Sequence, residues 1–81
     1  MGRKADLFSL RVADQHIALA QGLVEHQLST VHMLETRGRD ATEAKLLLAG
    51  LENSLEALVD QRSTIERTIR ISARRGGGGP S

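Results

Sequence analysis

The stretch Leu34-Glu35-Thr36-Arg37-Gly38-Arg39-Asp40-Ala41-Thr42-Glu43-Ala44 decides the fold of this 81-residue chain. Gly38 stands where a left-handed residue closes a helix without a Cβ penalty, immediately after Arg37. Asp40 then offers an acidic N-cap with Glu43 three positions on, close to a capping box. One helix ends and another begins across residues 38–40, and a connection that short sends the second helix back antiparallel to the first.

Working outward, both flanks carry the seven-residue period of a packed helical seam. Before the turn, Leu10, Ile17, Val24 and Val31 form one column, position a of the heptad abcdefg. Ala13, Ala20, Gln27 and Leu34 form the d column three residues later in each repeat. After the turn, Ala41, Leu48, Leu55, Arg62 and Ile69 continue as a, with Ala44, Leu51, Leu58 and Ile65 as d. Helix 1 is expected over about residues 6–37 and helix 2 over about 41–74. Residues 1–5 and the tail 75–81 are expected to be disordered, because Gly76 to Gly79 would lose much backbone entropy on ordering and bury nothing in return.

The two seams predict their own register. Pairing outward from the turn runs from Leu34 with Ala44 to Leu10 with Ile69, and the residue numbers of each pair add to 78 or 79. Small Ala13 and Ala20 then face large Ile65 and Leu58, an alternation that lets two helices approach closely. The expected fold class is all-α, an antiparallel coiled-coil-like hairpin.

Composition excludes several classes of function. No Cys is present, so neither a disulfide framework nor a thiolate zinc site stabilises the chain. The opening residues are charged, Arg11 and Asp14 interrupt the apolar residues that follow, and Asp6 stands where an N-acylation pattern wants Ser or Thr. No apolar run approaches the roughly 20 residues that cross a bilayer. The expectation is a soluble, cytoplasmic protein with no transmembrane segment.

A single two-helix seam buries little apolar surface beside the entropy of ordering two long helices. Helix 1 carries a further strip outside that seam: Val12, Leu19 and Met33 at position c with Leu23 at g, and Leu46 and Leu47 add to it near the start of helix 2. A second copy covering these six residues would give a homodimer, two hairpins forming a four-helix bundle. Scattered surface apolar residues are the plainer alternative.

Catalytic and metal chemistry find no support. His16, His26 and His32 fall at g, c and b, never four residues apart, and do not converge on a metal; His16 is placed to touch the partner helix. No nucleophile with a nearby base, convergent carboxylate pair or phosphate loop is present, so neither catalytic residues nor a cofactor is expected. Arg62 occupies an a position opposite Ile17, with Asp14 the nearest carboxylate. Its stem either packs while the guanidinium reaches solvent, or the residue sets register together with Gln27.

The net charge is only +1, but it is unevenly spread. Antiparallel packing brings Arg3, Lys4 and Arg11 beside Arg67, Arg70, Arg74 and Arg75 at the open end, while the acidic residues concentrate elsewhere. Such an end suits phosphate or another anion. Cations near a helix C-terminus are also favoured by the macrodipole alone. With Phe8 as the only aromatic residue, base stacking is not supported.

The run Asp14-Gln15-His16-Ile17-Ala18, the turn Gly38-Arg39-Asp40-Ala41-Thr42, and Gly22, Val24, Gln27, Leu47-Leu48, Leu55 and Arg62 together resemble a family of small uncharacterised alphaproteobacterial helical-hairpin proteins. The likeness spans about residues 11–66. Leu23 stands where members of that group carry an acidic residue, and their extra His near Arg62 is lacking. The resemblance implies the hairpin fold and carries no activity. Taken together, the sequence predicts a non-catalytic interaction or scaffolding protein with a larger protein partner in addition to itself. The alternative is a nucleic-acid-associated regulator that uses the Arg-rich end.

Overall fold

A computed structural model describes the backbone of residues 2–78 and the side chains of residues 7–74. Two helices account for nearly all of it, α1 over Gly2–Thr36 and α2 over Thr42–Gly78. They pack side by side as a rod whose Cα trace extends 67 Å along its axis and about 14 Å by 13 Å across it.

The turn forms much as its residues predict. Gly38 adopts φ 68°, its N–H donates to the Glu35 carbonyl at 3.1 Å, and the Arg39 N–H donates to Leu34 at 2.8 Å. This is the paired-bond termination that a left-handed glycine permits, and it satisfies the last carbonyls of α1. On the other side, one Asp40 carboxylate oxygen accepts the Thr42 backbone N–H at 3.0 Å and the Thr42 hydroxyl at 2.6 Å. The capping is one-sided. Glu43 makes no return bond among the described hydrogen bonds.

The helix ends differ from expectation. α1 stops at Thr36, one residue early, and α2 starts at Thr42, one residue late, so the connection covers residues 37–41. At the open end both helices run on through positions expected to be disordered, to Gly2 and to Gly78. Met1 and residues 79–81 lie outside the described part.

From Leu10 to Ile69, every a and d residue of both columns is buried or half-buried. Outside those columns only Val12, Thr30 and Glu66 share that state among residues 7–74. The most buried apolar residues are Ala13, Val24, Val31 and Ala41, yet no described side chain is less than 2 % exposed. Two helices alone leave every seam residue an open flank.

Glycine substitutions separate the two roles of this residue. Added Cβ atoms at Gly38 and Gly22 meet no neighbour within 4 Å, so only conformation counts. Gly38→Ala should lose about 1–2 kcal/mol of unfolding free energy through left-handed strain, and mid-helix Gly22→Ala should gain about 0.5–1 kcal/mol, both read by urea denaturation.

The two hydrogen bonds from Thr42, its hydroxyl first, hold the Asp40 carboxyl below its ordinary value, with Lys45 adding attraction. A depressed carboxyl stabilises the fold above its unfolded value, and that contribution disappears as pH falls through the folded value. Asp40→Ala should therefore lower the melting temperature at neutral pH, and the difference from wild type should shrink progressively as pH falls below the ordinary carboxylate range and through the lowered folded value.

Candidate functional site

The polar contacts establish which flanks of the two helices share a side. Lys45 and Glu35, both at position e, meet across the seam at 2.6 Å. Arg62 reaches Asp14, another e residue, through its Nε and Glu66, also at e, through Nη1 at 3.5 Å. Arg70 approaches the same Glu66 oxygen at 3.6 Å. The e columns of both helices therefore lie along one side of the rod, and every described ion pair is on that side. By geometry the two g columns, with c beside them, share the opposite side. The groove lined by Ser9, His16 and Gln61 at g, by Ala13 and Ile65 from the seam, and by Val12 and Phe8 agrees with this.

The Arg62 pairing resolves what the sequence left open. Its side chain is about one-third exposed and its partner Asp14 about half exposed, so the guanidinium reaches the rim and is also tied to a specific carboxylate. Hydrogen bonding and attraction from Asp14, then Glu66, raise its already high pKa. The guanidinium stays charged across the whole working range and brings no pH switch of its own. Glu35 acts on Lys45 in the same way, raising its pKa first by hydrogen bonding and then by attraction.

Among the described residues Gln27 is the one buried polar side chain, 8 % exposed. Its Nε2 donates to the Ala44 carbonyl at 3.0 Å. It was expected opposite Leu51, which offers no polar group; instead it leans toward the turn and finds a backbone acceptor. The other cross-helix pairs, Glu35 with Lys45, Asp14 with Arg62 and Ala13 with Ile65, fall close to the expected register.

The g and c columns are the notable surface. Leu19 is 69 % exposed and Leu23 56 %, and Met33 and Leu47 are also exposed. Val12 is half-buried because it tucks into the groove beside Ala13 and Ile65, so its role as uncovered surface is reduced. Leu46, one residue from Leu47, falls at position f on the far side of helix 2 from the seam; it is exposed but separate from this face.

Helix 2 supplies a half of the same face that an apolar-strip reading of the sequence passes over. Between Leu47 and Ile71 its c and g positions hold Gly50, Ser54, Ala57, Gln61, Thr64 and Thr68, all uncharged and all but Gln61 small. Between Ser9 and Met33 in helix 1, and between Leu47 and Ile71 in helix 2, no c or g position carries Asp, Glu, Lys or Arg. The rod is thus charge-free along one side and charged along the other. Leu28 and Val59, exposed at e among those charges, were also not foreseen.

At the open end, Arg11, Arg67, Arg70 and Arg74 are exposed, and only Arg70 takes part in a described ion pair. They fall at b and f, behind the charge-free face. The side chains of Arg3, Lys4 and Arg75 lie outside the described residues. Among the described residues no group of His, Asp and Glu is placed to hold a metal, and no helix is long and apolar enough to cross a membrane. No family model, curated protein or solved structure matches the chain.

The polar seam residues can be tested in pairs. Gln27→Ala should cost about 1–3 kcal/mol through the lost bond and the space left behind. Arg62→Leu should raise the melting temperature, because Asp14 is exposed enough to remain hydrated alone and a Leu would pack against Ile17. Thermal unfolding monitored by circular dichroism reads both.

Proposed function

We propose that this chain is a small non-catalytic interaction or scaffolding protein that works by helix–helix association, two copies forming a four-helix bundle that in turn engages a larger protein. The observation that carries this reading is the unfinished core. No described side chain is fully enclosed, while Leu19, Leu23, Met33 and Leu47 stand exposed along a side free of charge. Large apolar side chains gathered on one uncharged side of a small protein favour association over incidental exposure. The resemblance to small alphaproteobacterial hairpin proteins is compatible with such a role and adds no activity to it.

The exposed Arg11, Arg67 and Arg74, which form no described ion pair, favour a second reading, a nucleic-acid-associated regulator that contacts phosphate through the open end. Salt separates the two readings, since phosphate contacts weaken steeply with ionic strength and apolar association does not. Light scattering of the purified chain should give twice the monomer mass at micromolar concentration, with the mass unchanged by added salt. A monomer under those conditions, together with salt-sensitive retention of DNA or RNA on filters, would select the second reading.

A further inference from the structure

Resting on the association reading, we infer that the second copy stacks on the charge-free face with helix 1 of each copy lying over helix 2 of the other and both turns at the same end. Two symmetric ways exist to place one such face on another. With the two-fold axis along the rod, helix 1 covers helix 2 of the partner and the turns coincide. With the axis across the rod, helix 1 covers its own counterpart and the turns lie at opposite ends.

Side-chain size decides between them. Helix 1 projects Leu19, Leu23 and Met33 from this face, whereas helix 2 presents Gly50, Ser54 and Ala57 over its central turns. In the expected register Leu19 and Leu23 lie level with Ser54 and Ala57. Laying helix 1 over the partner's helix 2 sets Leu19 and Leu23 beside Ala57 and Ser54, large against small as close packing requires, while Met33 meets Leu47 near the turn. The crossed arrangement lays the bulky strip of helix 1 on its own counterpart and leaves the small residues of helix 2 facing small ones across a gap.

Two further observations fit a covered face. Thr30, Thr64 and Thr68 lie on it, and each donates its hydroxyl to the carbonyl four residues back, at 3.2, 3.2 and 2.9 Å. Covering these three hydroxyls strands none of them, whereas His16, His26, Ser54 and Gln61 on the same face take their partners from the second copy. The area is also adequate: from Ser9 to Met33 the face is about 36 Å long at 1.5 Å per residue and about 20 Å wide across two helices. That is on the order of 1,400 Å² counted over both copies, inside the range of stable interfaces. The basic open ends come together in this arrangement, but their arginines at b and f lie on the outer backs of the two copies, where salt screens charges more than about 10 Å apart.

Absence of Cys allows a clean test on the full chain. A single Arg39→Cys substitution at the exposed turn, carrying a nitroxide, reports the distance between the two turns of a dimer by pulsed electron resonance. The expected separation is less than half of the 67 Å rod length. Ala57→Leu and Leu23→Lys should each raise the dimer dissociation constant at least tenfold with helicity retained, and Leu46→Lys should leave it unchanged. A wild-type dimer with its turns far apart, or one weakened by Leu46→Lys alone, would overturn the stacking and leave self-association standing. A wild-type chain that stays monomeric at millimolar concentration would overturn both.

Discussion

Everything in this molecule depends on one left-handed residue. Gly38 lets the chain reverse over residues 37–41 while two backbone bonds satisfy the end of α1. Reversal that tight forces antiparallel packing, and antiparallel packing determines which columns meet: e with e on one side, g with g on the other. Had the connection been long and slack, the same two helices could pack in either direction, and their charges would not fall on one side.

Segregation of charge is the second organising feature. Glu35 with Lys45, and Asp14 and Glu66 with Arg62, lace the e side, where water keeps such pairs weak but prevents apolar surfaces from adhering. The g and c side has no such protection. A helix with one apolar stripe needs one neighbour; α1 has two adjacent stripes, a/d and c/g, and within the hairpin only the first is covered. The incomplete burial of the seam and the exposure of Leu19 and Leu23 therefore have the same origin, a structure one layer thick.

The hairpin, its turn and its seam were legible in the sequence because they rest on period and on glycine chemistry, both of which are local. Helix limits were less so: no capping residue marks the open end, so no local signal fixes where either helix stops there. The face was half legible. Leu19, Leu23 and Met33 announce themselves by hydrophobicity, but Gly50, Ser54 and Ala57 do so only by lacking charge, a signal that becomes visible once the g columns of the two helices are known to adjoin. Leu46 was grouped with Leu47 by adjacency in sequence, although successive helical residues point about 100° apart. The bond from Gln27 to Ala44 and the sharing of Glu66 between Arg62 and Arg70 depend on side-chain reach and have no sequence signature.

The distribution of burial along the rod bears on how the chain finds its fold. Val24, Gln27, Val31 and Ala41 make the turn-proximal half the tighter one, while only Ala13 reaches that level toward the open end. Contacts near the turn close the shortest loops, so they cost the least chain entropy to form. The hairpin is in this respect a zipper with its slider at Gly38: it closes from the turn outward, rapidly because its earliest contacts are local, and it frays in reverse, the free ends parting well before the turn releases.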